Sequence, residues 1–235
     1  MAYIVAAGDV HGALSDFYRS AVELQSTLGQ SISAILQVGD LQIYSDTSHV
    51  DKAVRRHGGA GEFPEWFKTQ RRVPIPTYAI LGNHDDAALF YEHAGKEIVP
   101  SLTLLAQGRV VSVVIGNKTI RVGALGGNYS PRYFQCEPAD LPKGKLKHYT
   151  ETHLKSLIDC APFDILLTHE APTDFVAREG IDLGRPEIRD LIEHPQPKFA
   201  FFGHHHYYVE GKISDTTVIG LASAEREGGF YTIPC

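Results

Sequence analysis

Five times along this chain a short apolar run hands over abruptly to a cluster of Gly, Asp, Asn or His. The runs and their endings are YIVAA then GDVHG, AILQV then GDLQ, TYAIL then GNHDD, DILLT then HEAP, and FAFF then GHHH. Unbroken apolar runs of this length suit strands covered on both faces, as in the inner layers of an α/β protein. Helix-period segments lie between them. Leu14, Phe17, Tyr18, Ala21, Leu24 and Leu28 recur at helical spacing, and Gly29 follows as a left-handed stop. Further helices are expected at 49–57, 62–69, 86–94, 150–159 and 185–193. The stretches 102–105, 109–115 and 119–125 read as a meander with a tight turn at Gly116–Asn117, and 208–213, 216–221 and 229–233 look similar. The alternation predicts an α/β fold, and the mixture of strand types predicts two packed mixed sheets flanked by helices.

A chain of 235 residues fits one domain, 1–235, with a core that needs no disulfides. Its three cysteines are scattered and odd in number, and no CxxC spacing occurs, which argues for a reducing compartment and against a thiolate zinc site. The first apolar run is too short for a signal peptide or a membrane span, so a cytoplasmic protein without membrane attachment is expected. Nothing in the sequence calls for an obligatory protein partner. A net charge of −6 gives no general attraction for nucleic acid, so a phosphate-bearing substrate must be drawn by local charge. The irregular stretch 127–149 offers such charge: Arg132, Lys143, Lys145 and Lys147 are the candidate substrate-binding residues. Tyr129, Tyr133 and Phe134 in the same stretch either stack on a base or pack the loop.

Ligands of open α/β sheets gather at the carboxyl ends of the strands. Asp9 and His11 follow the first run, Asp40 the second, Asn83 and His84 the third, His169 the fourth, and His204, His205 and His206 the fifth. Each alone has a structural explanation, as a turn residue or a helix cap. Together they offer carboxylate, amide and imidazole donors without sulfur, a set suited to Mn²⁺, Fe²⁺ or Zn²⁺. Two carboxylates, one amide and four of these histidines exceed what one ion takes and match two ions sharing a ligand. In extended backbone, residues two apart share a side. His204 and His206 should therefore face the site together while His205 points away.

The ordered blocks Asp9-Val10-His11, Gly39-Asp40, Gly82-Asn83-His84-Asp85, His169 and Gly203-His204-His205-His206 resemble those of the calcineurin-like metallophosphoesterases. The text around them (GDLQ, TYAILGNHD, RVGALGGNY, DILLTHEAP) is most similar to the catalytic domain of RNA lariat debranching enzymes. The resemblance implies a dinuclear site at one edge of two packed sheets. Asp9, His11 and His206 would hold one ion, Asn83, His169 and His204 the other, and Asp40 would bridge them, with His84 as the catalytic residue that binds no metal. Two such cations lower the pKa of a shared water and clamp phosphoryl oxygens.

Three departures stand out. Ile43 occupies the place of an acid that in many members orients the catalytic histidine, with Asp85 and Asp46 nearby in sequence. Asp9 stands where many debranching enzymes have Cys. The loop at 128–148 is shorter, and the chain stops at Cys235 where debranching enzymes usually continue, which weakens branched RNA as a substrate. The expected activity is hydrolysis of a phosphate ester, with a nucleotide or nucleic-acid diester favoured over monoesters. A phosphomonoesterase, or phosphatase of small molecules or proteins, is the alternative. An inactive scaffold is disfavoured by the complete ligand set, and a binding module without chemistry by the acidic balance.

Overall fold

The computed structural model describes residues 2–48, 50, 54–55, 59–115 and 118–234. Most of the helix expected at 49–57, and the turn at Gly116–Asn117, lie outside the described residues. In chain order the strands are β1 (Ala2–Ala7), β2 (Ser31–Gln37), β3 (Thr77–Ala79), β4 (Glu97–Val99), β5 (Leu102–Leu104), β6 (Arg109–Ile115), β7 (Lys118–Leu125), β8 (Ile165–Thr168), β9 (Ala177–Arg178), β10 (Ile181–Asp182), β11 (Phe199–Phe202), β12 (Val209–Ile213), β13 (Thr216–Gly220) and β14 (Phe230–Pro234). The helices are α1 (Leu14–Leu28), α2 (Phe63–Thr69), α3 (Ala87–Glu92), α4 (Glu151–Asp159) and α5 (Pro186–Glu193).

Twelve of the strands form two six-stranded sheets of similar plan, ordered β14-β1-β2-β3-β5-β4 and β12-β13-β11-β8-β7-β6. In the first, β1, β2, β3 and β5 run parallel, with β14 and β4 antiparallel at the edges. In the second, β13, β11, β8 and β7 run parallel, with β12 and β6 antiparallel outside them. β9 and β10 make a separate two-stranded hairpin.

Alternation along each inner strand explains the unbroken apolar runs. Ile4 and Ala6 of β1 meet Leu167 and Phe201 in the core between the sheets, while Val5 and Ala7 face the α1 residues Leu14, Phe17 and Ala21. On the far side, Leu166, Ala200 and Phe202 pack against Leu154 and Leu157 of α4 and Ile188, Leu191 and Ile192 of α5. Every inner strand is thus covered on both faces, in four layers.

The predicted meander is corrected at its first strand, while its other two pair as expected. β5 joins β3 in the first sheet, whereas β6 and β7 pair with each other in the second. The C-terminal strands divide in the same way: β12 and β13 stay in the second sheet, but β14 crosses to β1. Periodicity reports which faces of a strand are buried, and not which strand lies beside it. Gly29 ends α1 in the left-handed conformation (φ 62°), as the helix-stop pattern predicts. Among the described residues no helix is long and apolar enough to cross a membrane.

The start of α4 carries a pH-sensitive element. The Thr150 N–H donates to Nδ1 of His153 at 3.1 Å, so that nitrogen must remain unprotonated. Burial, with the charge of Arg109 nearby, lowers the His153 pKa from 6.5 to about 4. A histidine held neutral in the fold contributes stability that is complete above pH 6.5 and is lost as pH falls toward 4, by at most about 3 kcal/mol. His153→Gln keeps an acceptor without the titration. The difference in denaturation free energy between pH 7.5 and pH 5 should therefore be smaller in that variant than in the wild type; equal differences would remove His153 from the account.

Candidate metal centre

The carboxyl ends of β1, β2 and β8 and the residues just after β3 and β11 converge on one rim, where short backbone approaches hold the loops together. Gly203 N–H donates to the His169 carbonyl at 3.2 Å, and His204 N–H to Asp9 Oδ1 at 3.1 Å. A Cβ on Gly82 would collide with the Asp40 side chain, and one on Gly203 with the Asp9 carboxylate. Only glycine admits the neighbouring ligand there, which is why these turns read Gly-Asn and Gly-His. The buried amide of Gln37 fastens the base of the site, accepting from Gly39 N–H at 2.9 Å and donating to the carbonyls of Gly8 and Gly39.

His11, Asp40, His204 and His206 all have left-handed backbone, with φ of 49°, 59°, 67° and 60°. Non-glycine residues in that region concentrate where surrounding structure over-determines them, commonly at functional sites. This corrects the reading of residues 204–206 as extended. The His205 ring instead lies edge-on to His204 at 4.9 Å and 6.4 Å from Tyr207.

Two groups of potential ligands meet at Asp9: Asp9, His11 and His206, and Asp9, Asp40 and His169. In the first, His206 Nε2 lies 2.9 Å and His11 Nε2 3.8 Å from Asp9 Oδ2, with the two ring nitrogens 3.0 Å apart. In the second, His169 Nε2 lies 3.5 Å from Asp40 Oδ2 and 2.8 Å from Asn83 Oδ1. His169 Nδ1 contacts the Val38 carbonyl at 2.8 Å; with Nδ1 donating there, Nε2 is the nitrogen that a bound cation would take once its proton leaves. His204 stands 5.0 Å from the His169 ring. His84 anchors its backbone N–H on Asp40 Oδ1 at 2.7 Å and sets its ring 5.9 Å from that of His11.

The electrostatics of this centre call for cations. Burial pushes the Asp40 carboxyl up to about 7, the charges of Asp9 and Asp85 adding to the effect against His169, and its Oδ2 has no hydrogen-bond partner among the described residues. Burial also works to raise Asp9, but the His206 hydrogen bond and the charge of His169 outweigh it and hold the group near 2. Burial and the charge of His169 lower His204 to about 3, and burial lowers His11, so both rings offer neutral nitrogen donors. Against its burial, Asp40 and Asp9 raise His169, and the Asp9 hydrogen bond raises His206, so these two rings carry protons that bound cations would displace. The crowded carboxylates, the orphaned oxygen and the four imidazoles form a donor set that fits divalent ions.

The sequence profile of the calcineurin-like phosphoesterases matches residues 2–208. The chain belongs to the calcineurin-like phosphoesterase family. Among curated phosphoesterase relatives, it is 25% identical to a lariat debranching enzyme of Arabidopsis thaliana over 79% of this chain and 47% of that protein. It is 23% identical to that of Entamoeba histolytica over 99% of this chain and 72% of the relative. It therefore spans about half the length of the Arabidopsis protein and most of the Entamoeba one. The crystal structure of TT1561 from Thermus thermophilus shares the fold, with a TM-score of 0.61 at 18% identity over 94% of this chain and 89% of that one.

Of the seven ligands expected from the sequence, Asp9, His11, Asp40, His169 and His206 fall into the two groups, and Asn83 and His204 adjoin them through His169. The four basic residues are not equivalent. Lys147 Nζ donates to the Asn83 carbonyl at 3.2 Å, and with Lys143 it lines a cleft of about 760 Å³ that also borders Tyr44, Asn83 and Leu89. Arg132 instead lies over the Tyr133 ring at 5.5 Å, and neither it nor Lys145 lines that cleft. Tyr129 and Phe134 pack against the helix-covered core of the second sheet, while Tyr133 stacks on His148 at 5.5 Å.

Sequence reasoning missed what Asp85 does. Its buried carboxylate accepts N–H groups from Gly82 (2.7 Å), Ile43 (2.9 Å) and Asp40 (3.2 Å), tying the loop of Asp40 to that of Asn83. Ile43, in the place where many members have an acid, contributes its backbone to this clamp and buries its side chain in the core. Leaving those three donors buried without an acceptor would cost about 1–3 kcal/mol each. Asp46 has a local task, accepting from the Ser48 N–H at 2.7 Å.

Proposed function

We propose that this chain is a dinuclear metal-dependent phosphodiesterase acting on a nucleotide or nucleic-acid diester. The observation that carries the reading is the meeting of two ligand groups on the buried Asp9, beside the orphaned Oδ2 of Asp40. Asp9, His11 and His206 would hold one divalent ion, Asn83, His169 and His204 the other, and Asp40 would serve both. Mn²⁺, Fe²⁺ and Zn²⁺ suit these donors. Bound there, two such ions would supply positive charge to the phosphoryl oxygens and lower the pKa of a water toward neutrality. The chain's own groups orient and exchange protons. Val38 sets the His169 tautomer, Asp85 holds the Asp40 and Asn83 loops in register, and His84 carries a ring proton to the leaving oxygen. The preference for diesters rests on the debranching relatives and on the Lys143–Lys147 cleft beside Asn83. The scattered cysteines support a cytoplasmic setting.

The test is metal analysis and a substrate panel after reconstitution with Mn²⁺. About two ions per chain are expected, with faster hydrolysis of a bis-aryl diester or a dinucleotide than of an aryl monoester; 2′,5′-branched RNA asks whether the relatives' named substrate applies. Uptake of no metal would sink the dinuclear reading. A clear monoester preference would make the chain a phosphomonoesterase instead.

A further inference from the structure

Arg185 lies outside every metal-ligand motif, yet the backbone brings it to the rim. Its N–H donates to the Ala171 carbonyl at 2.9 Å and its carbonyl accepts from Thr173 N–H at 3.3 Å, which pins it to the segment directly after His169 and Glu170. Its Nε donates to Glu170 Oε1 at 3.3 Å, and its guanidinium carbon lies 5.2 Å from the centre of the Tyr129 ring. Glu170 is buried, and its other oxygen accepts from Tyr129 N–H at 2.7 Å and Tyr149 OH at 3.0 Å. The acid that follows a metal-site histidine is thus spent on orienting an arginine. Among the described residues the two Nη groups have no hydrogen-bond partner, and the side chain remains 37% exposed. Its positive charge reaches His205, in the middle of the histidine run.

We infer that Arg185 grips a phosphate of the substrate, its planar fork held by Glu170 and Tyr129 so that both Nη groups meet two oxygens of one phosphate. The inference rests on the phosphoester reading above and extends it to a residue that touches substrate rather than metal. A plain counter-charge for buried Glu170 is the competing role, and it predicts different behaviour. Arg185→Lys keeps the charge and loses the fork, whereas Arg185→Ala loses both.

The experiment titrates inorganic phosphate into the Mn²⁺-reconstituted protein by calorimetry and measures KM for bis(p-nitrophenyl) phosphate and for a dinucleotide bearing a 5′-phosphate. Manganese content and unfolding midpoint are recorded alongside. The phosphate Kd should rise about tenfold or more in Arg185→Ala and by a smaller factor in Arg185→Lys, with Arg185→Lys keeping its manganese and midpoint. KM rises for both substrates if Arg185 holds the reacting phosphate, and only for the phosphorylated dinucleotide if it holds a neighbouring one. Unchanged Kd and KM in both variants would overturn the inference. So would a wild-type Arg185→Lys beside an Arg185→Ala whose weaker binding merely tracks lost manganese. If the wild type hydrolyses no ester, the phosphodiesterase reading fails by itself, and the phosphate titration still decides the role of Arg185.

Discussion

Replacing Asp40 with Asn should leave a folded protein that holds fewer than two divalent ions and hydrolyses its substrate at least about a thousandfold more slowly. The amide retains an oxygen for the His84 N–H that now binds Oδ1 at 2.7 Å, so the loop keeps its local hydrogen bond. What disappears is the charge on Oδ2, which faces His169 Nε2 at 3.5 Å and has no other partner among the described residues. The metal-free proteins should show the opposite trend. Asp40 is 1% exposed and feels the charges of Asp9 and Asp85, so removing its charge relieves repulsion that only cations can offset. In EDTA the unfolding midpoint of Asp40→Asn should equal or exceed that of the wild type. Metal analysis, initial rates and denaturation in chelator check the three parts. A variant with two ions and full activity would show that Asp40 does not share the metals.

His84→Ala should behave differently: both ions retained, and kcat on an alkyl leaving group lowered by about 10² to 10⁴. The substitution leaves the backbone N–H that orients Asp40 and removes only the ring, which lies 5.9 Å from that of His11. A general acid matters most when the leaving oxygen is basic. With a nitrophenyl ester, whose leaving group needs no proton, the loss should shrink to about tenfold or less. Equal losses on both substrates would make His84 an electrostatic stabiliser of the phosphoryl group; no loss on either would remove it from the chemistry.

Much of this centre was legible in the sequence because burial on both faces leaves strong marks. The runs leading to Asp9, Asp40, Asn83, His169 and His204 are strands or direct continuations of strands, and their ends converge. The segments 14–28 and 62–69 were readable as helices from apolar spacing, and α1 ends at Gly29 as expected. What escaped depends on residues far apart in the chain. Alternation in 102–105 could not say that this strand leaves the pair formed by 109–115 and 119–125 and lies beside β3 instead. Asp85 reads as one more polar residue in GNHDD, because its partners are backbone N–H groups, two of them about forty positions earlier. The histidine run misled for a related reason. Side-chain alternation holds only in extended backbone, and His204 and His206 adopt a conformation that local preference disfavours and long-range packing imposes. Arg185 carried no motif, since its placement comes from a pairing with residues 171–173.

The crossing of β14 to the first sheet bears on how the molecule assembles in time. Phe230 pairs with Ala7 and Pro234 with Tyr3, so one neighbour of the strand that ends at Asp9 comes from the opposite extreme of the described chain. While the chain is being synthesised, β1 can pair with β2 on one side, but its other side stays an open edge until residues 230–234 emerge. An unpaired edge of this kind is a template for intermolecular pairing. Closing so long a loop is also slow, because its entropy is lost before its contacts form. The strand that leads to Asp9 is therefore the last to be enclosed, and the edge it presents closes only when the two ends of the described chain meet.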